Sequence, residues 1–381
     1  MEHTVTLSIT DLAFGGDGVG RVENMVCFVP RTVPGDTVEV RITERKKRFL
    51  RGILLNILSP SPARIEAPCP YFGQCGGCQW QHVQYELQVK SKVEHLSKVL
   101  YKNGRIEFPA AAPIPSPEVY RYRRNGRMKV TSKGEIGFFG PQSRRIVPVQ
   151  SCLVFEEVLD TALDSIRKEI SRLHPRPSEV ELISLDGKQV KYRFLFPGDY
   201  SKLGFLQANR WINRVLQDFI RQTVKKNGTG RGLVIDLYCG DGNLSLPLAE
   251  FGIRLLGLDI SQPAIKRAEQ KRKELGLTDF SYRHTAVQDS AKELLRHRGK
   301  VDTVICDPPR QGLEDMASVI ASLGARTILY ISCFPAVLAK DVQFFLSAGY
   351  NIRMIQPMDM FPQTFHLETA VVLSREGADL L

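Results

Sequence analysis

From residue 211 onward, short apolar runs alternate with stretches whose apolar residues recur at helical spacing. The runs at 233–237, 253–258, 280–284, 301–306, 327–332, 350–357 and 369–374 predict strands. The intervening segments 211–226, 243–250, 262–275, 289–297, 314–322 and 335–347 predict helices, with Ser261 placed to cap one of them. Strand and helix in strict alternation predict a doubly wound α/β domain.

The first 58 residues follow a different rhythm. Polar and apolar positions alternate in Thr37-Val38-Glu39-Val40-Arg41-Ile42. Tight turns recur at Gly15-Gly16-Asp17-Gly18 and Val33-Pro34-Gly35-Asp36. Short alternating strands with regular turns predict a small β-barrel. Ser59-Pro60-Ser61-Pro62 reads as a linker. A helix over 83–102 carries Val83, Leu87, Val93, Leu96, Val99 and Leu100 mostly on one stripe. After a proline-rich loop at 105–118, strands are expected within 119–150. A helix follows near 155–173 with Phe155, Leu159, Leu163, Ile166 and Ile170 inward, then strands near 179–184 and 190–196.

The length of 381 residues calls for two or three domains. No apolar run approaches the roughly 18 residues of a membrane span, and the start, Met1-Glu2-His3-Thr4, does not read as a secretion signal. A cytoplasmic protein is expected. Lys and Arg number 52 against 41 acids, a net charge of +11, which favours a polyanionic partner such as nucleic acid. Glu44-Arg45-Lys46-Lys47-Arg48-Phe49-Leu50-Arg51 and Tyr120-Arg121-Tyr122-Arg123-Arg124-Asn125-Gly126-Arg127 interleave cations with aromatics, a composition that suits RNA backbone and base stacking. Nothing in the sequence calls for an obligate protein partner.

The candidate chemistry gathers in the second half. Val234-Ile235-Asp236 runs into Leu237-Tyr238-Cys239-Gly240-Asp241-Gly242-Asn243, a turn of small residues at the end of a buried strand. Such a turn lets backbone approach a ligand, and Asp259, ending the next strand, can accept hydrogen bonds from ribose hydroxyls. Ser245 stands where a dinucleotide fingerprint needs its third glycine, so S-adenosylmethionine fits better than a dinucleotide. Cys333 follows the strand 327–332, Asp307 opens Asp307-Pro308-Pro309-Arg310, and Glu368 begins the final strand. A thiolate that adds to uracil C6 gives C5 carbanion character, and a base must then remove the C5 proton before the thiolate leaves. Cys333 and Glu368 are the candidates for these roles. Asp307 can bind a ligand amino group or a pyrimidine edge.

Cys69, Cys75 and Cys78 are closely spaced among Gly73, Gly76 and Gly77. Cys152 is the best fourth ligand, since it follows a strand-rich stretch and precedes a helix. Four thiolates fit either structural zinc or a [4Fe–4S] cluster, and the spacing does not decide between them. Cys27, Cys239 and Cys306 read as small core hydrophobes.

These motifs together resemble the RNA 5-methyluridine methyltransferases over nearly the whole chain. The resemblance implies a multidomain α/β protein. It has an N-terminal OB-like TRAM barrel (1–58), a central α+β iron–sulfur domain (59–203) and a C-terminal Rossmann-like class I methyltransferase domain (204–381). Helix 83–102 packs on the catalytic domain in that family. The resemblance also implies a [4Fe–4S] cluster on Cys69, Cys75, Cys78 and Cys152. Phe205-Leu206-Gln207-Ala208-Asn209 resembles the family's F-x-Q-x-N, which implies that Gln207 contacts S-adenosylmethionine, as would Tyr238, Asn243, Asp259 and Asp307. Cys333 matches the nucleophile, and Glu368 matches the base. Phe334 replaces the Asn usual after the nucleophile, and Asp259 replaces a frequent Glu.

The TRAM–cluster arrangement resembles the enzymes of 23S ribosomal RNA, with transfer RNA as the alternative substrate. Three other readings make distinct predictions. A decayed RNA-binding assembly factor would give no methylated uridine. A cytosine-C5 enzyme would carry a Pro-Cys nucleophile, whereas Ser332 precedes Cys333. An iron–sulfur redox enzyme would need an electron donor.

Overall fold

The computed structural model describes residues 4–199, 203–204, 206–227 and 232–375; Phe205 of the F-x-Q-x-N segment lies outside the described residues. The chain forms two compact units. The first comprises Met1–His95, Pro117–Asn209 and Phe361–His366; the second comprises Leu96–Ser116, Arg210–Met360 and Leu367–Leu381.

In the first unit, β1 (Thr4–Leu12), β2 (Gly18–Val22), β3 (Met25–Val29), β4 (Thr37–Arg45) and β5 (Phe49–Ser59) close a barrel in the order β1-β2-β3-β5-β4. Alternation puts Leu7, Ile9, Cys27, Val29, Val38, Val40 and Leu50 inside. A side chain at Gly52 would stand 2.1 Å from Val40 Cγ1, so glycine there is what lets β4 and β5 approach. Asp36 ties the barrel to the linker. It accepts the amides of Val33 (2.6 Å) and Ser61 (2.8 Å) and pairs with Arg64. Burial alone would raise this carboxyl, but Arg64 and the two amides hold it below its usual range.

Helix α1 (Tyr85–Gly104) starts in the first unit, and its later residues Leu96 and Leu100 join the core of the second. The first unit resumes with β6 (Asn125–Val130), β7 (Ile136–Phe139), β8 (Ile146–Pro148), α2 (Glu157–Arg172), β9 (Glu179–Ser184) and β10 (Val190–Leu195). The strands form an antiparallel sheet in the order β10-β9-β6-β7-β8. The predicted stripe of α2 is buried: Leu159, Leu163, Ile166 and Ile170 pack with Met128, Val180 and Leu182.

The second unit continues with α3 (Arg210–Asn227), β11 (Leu233–Leu237), a 3₁₀ turn (Leu246–Phe251), β12 (Arg254–Asp259), α4 (Gln262–Glu274), β13 (Phe280–His284), a 3₁₀ turn (Gln288–Ser290), α5 (Ala291–Leu295), β14 (Val301–Cys306), α6 (Met316–Leu323), β15 (Thr327–Ser332), α7 (Pro335–Ser347), β16 (Tyr350–Met358) and β17 (Glu368–Arg375). The sheet order is β13-β12-β11-β14-β15-β17-β16. β11 to β15 are mutually parallel, while β17 runs against both β15 and β16. This is a Rossmann-like order with an antiparallel strand inserted at one side.

Two expectations need correction. The helix expected at 243–250 is a 3₁₀ turn, because Pro247 at its start and Gly252 in the left-handed region (φ 60°) leave it too few residues to propagate. Ser261 does occupy the N-cap of α4, but its hydroxyl makes no cap bond; its amide donates instead to Asp259 Oδ1 at 2.6 Å. Among the described residues no helix is long and apolar enough to cross a membrane.

Candidate active site

Strand register in the second unit brings the reactive candidates to one sheet edge. Ser332 of β15 pairs with Thr369 of β17 as the last rung of an antiparallel ladder. One step further, the two chains present Cys333 and Glu368. Leu237 pairs with Cys306, so Tyr238 and Asp307 leave neighbouring strands together, and the Asp307 amide faces the Leu237 carbonyl at 3.5 Å. Asp259 leaves β12 on the other side of β11. Tyr238, Asp259, Asp307 and Cys333 lie at the carboxyl ends of parallel strands, where open α/β sheets bind ligands, and the antiparallel β17 starts with Glu368 at that same edge.

The turn after β11 is strained and open. Tyr238 has φ 62°, Gly240 φ 55° and Gly242 φ 81°. A side chain at Gly240 would meet nothing within 4 Å, so the backbone borders free space there. Asp259 Oδ2 accepts the Gly240 amide at 2.9 Å, which fixes the turn. The Asn243 side chain is locked onto α3. It exchanges hydrogen bonds with Asn213 at 3.0 and 2.8 Å, and it accepts from Gln217 Nε2 at 3.0 Å. Gln288 Nε2 lies 3.5 Å from the Tyr238 hydroxyl. Burial pushes the Tyr238 phenol up to about 12. Burial likewise raises Asp236 to about 7; Ser245 opposes the rise, and the Asp307 and Asp259 carboxylates add to it.

Burial also dominates at the reactive pair. It pushes the Cys333 thiol up to about 11; Glu368 adds to the rise, while the Arg310 guanidinium, hydrogen-bonded to the thiol, works against it. Glu368 is 4% exposed, and burial followed by the nearby Asp307 carboxylate holds it well above the ordinary carboxylate range. At neutral pH Cys333 therefore rests as the thiol, beside an acid whose ionisation burial opposes. Phe334 is the N-cap of α7, and its amide donates to Ser332 Oγ at 3.1 Å, a backbone anchor independent of its side chain.

Sequence reasoning assigned no role to Arg310 or Asp341. Asp341, on α7, is 5% exposed. It accepts from Tyr330 on β15 and from the amide of Leu313, in the loop that carries Arg310. The signal for Arg310 was its place in Asp307-Pro308-Pro309-Arg310; for Asp341 it was a lone acid on the apolar face of a helix.

Gln207 belongs to the first unit. It is buried and lines a cavity of about 440 Å³ with Arg123, Arg127 and Phe361. In the same unit Cys69, Cys75, Cys78 and Cys152 line one cavity of about 210 Å³. Burial pushes Cys78 up to about 12 and Cys152 to about 11. One zinc ion would need its sulfurs within roughly 4 Å of one another, because Zn–S bonds are about 2.3 Å. Among the described residues, no three His, Cys, Asp or Glu side chains are gathered to hold a single metal ion. Cys27, Cys239 and Cys306 are buried in their cores, as expected.

The sheet order and the turn after β11 define a Rossmann-like methyltransferase domain, preceded by an RNA-binding type of barrel. A family described as tRNA (Uracil-5-)-methyltransferase matches residues 177–376, and the TRAM domain matches residues 3–55. The chain is 34% identical over 382 residues to an uncharacterized RNA methyltransferase of Bdellovibrio bacteriovorus, covering 97% of this chain and 94% of that protein. It is 30% identical over 421 residues to the 23S rRNA (uracil(1939)-C(5))-methyltransferase RlmD of Shewanella woodyi, covering 96% and 94%. Among solved structures, the Pyrococcus abyssi tRNA (uracil-54, C5)-methyltransferase in complex with S-adenosyl-L-homocysteine shares the fold. Its TM-score is 0.71 at 22% identity, covering 97% of this chain and 100% of that one. The chain belongs to the RNA (uracil-5-)-methyltransferase family.

Proposed function

We propose that this protein methylates C5 of a uridine in 23S ribosomal RNA, with S-adenosylmethionine as methyl donor, Cys333 as nucleophile and Glu368 as base. The observation that carries the reading is the meeting of Cys333 and Glu368 one step beyond the Ser332–Thr369 rung. A buried uracil cannot be attacked within a helix, so the target nucleotide is taken out of its stack. The Cys333 thiolate adds to C6 and leaves C5 nucleophilic, with Arg310 stabilising the thiolate. The Glu368 carboxylate accepts the C5 proton and so lets the C6–S bond break. Its burial makes it a stronger base than an exposed carboxylate.

Bound at the open turn, S-adenosylmethionine supplies the electrophilic methyl group that C5 takes up. Asp259 would hold its ribose, and Tyr238 and Asp307 its remaining polar groups. The open space at Gly240 fits a ligand pressed on backbone. Asn243, clamped to α3, would act by shaping the turn. Cys69, Cys75, Cys78 and Cys152 would hold a [4Fe–4S] cluster: four thiols face one cavity, and a cluster spreads its ligands over four irons rather than one ion. Relatives named as 23S rRNA enzymes, matched over almost their full length, favour that substrate over transfer RNA.

The test is incubation with methyl-labelled S-adenosylmethionine and unmodified 23S rRNA or transfer RNA, separately, followed by mass spectrometry of labelled nucleosides. The expected product is 5-methyluridine in 23S rRNA. The same product in transfer RNA alone would move the substrate, and labelled cytosine or no label would overturn the reading.

A further inference from the structure

The guanidinium that bonds the Cys333 thiol sits on a tight turn, and one buried carboxylate holds that turn. Pro308 and Pro309 stiffen the chain just before Arg310, since each ring locks its own φ. Just after it, the Gly312 amide donates to the Pro309 carbonyl at 2.8 Å, which closes a turn around Arg310 and Gln311. Gly312 has φ 83°, a left-handed backbone that glycine takes without penalty. Leu313 follows, fully buried, and its amide donates to Asp341 Oδ2 at 3.0 Å. Its carbonyl accepts the Met316 amide at 2.9 Å, at the start of α6.

The turn is pressed onto α7 as well as bonded to it. A side chain at Gly312 would stand 2.2 Å from Val337 Cγ1 and 2.6 Å from Asp341 Oδ2. Glycine here therefore serves a close approach in addition to a backbone angle. Val337 and Asp341 lie four residues apart on α7 and so share one face of that helix. The same Asp341 oxygen accepts the Tyr330 hydroxyl at 2.5 Å. Tyr330 is fully buried on β15, three residues before Cys333. One oxygen thus ties the turn that carries the guanidinium to the strand that leads into the thiol. Both donors are buried, so no water replaces the carboxylate if it is lost.

The thiol must ionise to react, and burial opposes this. A guanidinium offsets burial only while it stays at hydrogen-bonding distance. Arginine has a long stem with many rotamers, so a fixed backbone beneath it lessens what must be ordered at each turnover.

We propose that Asp341 is a positioning residue for the methyl transfer: through the Leu313 amide and the Tyr330 hydroxyl it keeps the Arg310 turn in place beside Cys333, so that the guanidinium meets the thiolate whenever it forms or leaves C6. Asp341 itself carries no proton in the reaction and acts on the thiol only through Arg310. The proposal rests on the reading of Cys333 as the nucleophile.

Alkylation of Cys333 by iodoacetamide, followed by peptide mass spectrometry, reads the thiol without RNA or methyl donor. From about pH 7 to 10, Asp341→Ala is expected to slow it roughly three- to ten-fold, the effect of about half to one pKa unit. Gly312→Ala keeps the carboxylate but forces the turn off α7, and it should slow the thiol to a similar extent. Tyr330→Phe removes one donor only; it is the mild variant that serves if the other two fail to fold, and it should slow alkylation about two- to three-fold.

Arg310→Ala supplies the decisive comparison. A residue that acts through Arg310 has nothing left to lose in that background, so adding any of the three changes should slow alkylation no further. Additive slowing in the double variants would overturn the proposal, because the two residues would then act on the thiol independently. Faster alkylation in the single variants would overturn it too, as the mark of an edge that has only loosened and exposed its cysteine. So would the parent rate in all of them. Turnover by Cys333→Ala would instead remove the nucleophile assignment, while the alkylation rates still decide the tie between Asp341 and Arg310.

Discussion

The Tyr330 hydroxyl donates to Asp341 Oδ2 at 2.5 Å, and the same oxygen accepts the Leu313 amide at 3.0 Å. One buried carboxylate on α7 thus joins the strand that leads into Cys333 to the loop that carries Arg310. Asp341→Ala leaves both donors buried and unpaired. It should destabilise the protein by about 2–4 kcal/mol, while Tyr330→Phe should cost about 1–2 kcal/mol. Chemical denaturation of the variants checks both values; equal stability for Asp341→Ala would show that the junction contributes nothing.

Arg310 opposes the burial that raises the Cys333 thiol. Arg310→Ala should therefore move the thiol higher still. Alkylation of Cys333 by iodoacetamide at pH 8 should slow roughly ten-fold, the effect of about one pKa unit. Peptide mass spectrometry separates Cys333 from the other seven cysteines. Cys333→Ala should abolish both turnover and the covalent RNA adduct.

Glu368 carries a stability cost that depends on pH. Its folded pKa lies above its ordinary value because of burial and then Asp307. Above the ordinary carboxylate range the folded chain therefore binds more protons than the unfolded chain, and stability falls as pH rises. A glutamine has no proton to lose. Glu368→Gln should unfold at a higher temperature than the parent at pH 8, with the gap closing near pH 4. Thermal unfolding across that range measures it. A parent more stable than the variant at pH 8 would mean that the carboxylate is compensated in the fold.

The clamp on Asn243 makes a prediction about ligand rather than chemistry. Gln217→Ala and Asn213→Ala each free part of the Asn243 amide. Each should weaken S-adenosylhomocysteine binding roughly five- to ten-fold, the value of about one hydrogen bond. Calorimetry gives the affinity, and Cys333 alkylation should stay at the parent rate. Slowed alkylation would place these residues in the structure of the whole edge instead.

Continuous apolar runs made the strands of the second unit legible. Leu233–Leu237 and Thr327–Ser332 are buried at every position, and such runs admit few readings once their turns are seen. The 243–250 segment misled because its apolar spacing is helical while Pro247 and Gly252 cut it short. Cys333 and Glu368 could be named because each stands at a strand end. That they are neighbours follows from the direction of β17, which periodicity does not encode. Arg310 and Asp341 escaped for a related reason. Their roles arise from hydrogen bonds across long sequence separations, such as Leu313 with Asp341, and a polar residue in a sequence does not announce whether it is buried.

The reversal of β17 separates the distance between Cys333 and Glu368 in sequence from their distance in the sheet. Between them run α7, β16 and the segment around Gln363, yet the ladder alone sets their pairing. Residues added at Gly349, where φ is 86° and a side chain would meet nothing within 4 Å, lengthen a surface turn and leave that pairing intact. One residue added between Glu368 and Thr369 would move Glu368 off the step opposite Cys333 and turn it to the other face. Length variation in this enzyme is therefore permitted by tens of residues in one place and forbidden by a single residue in another.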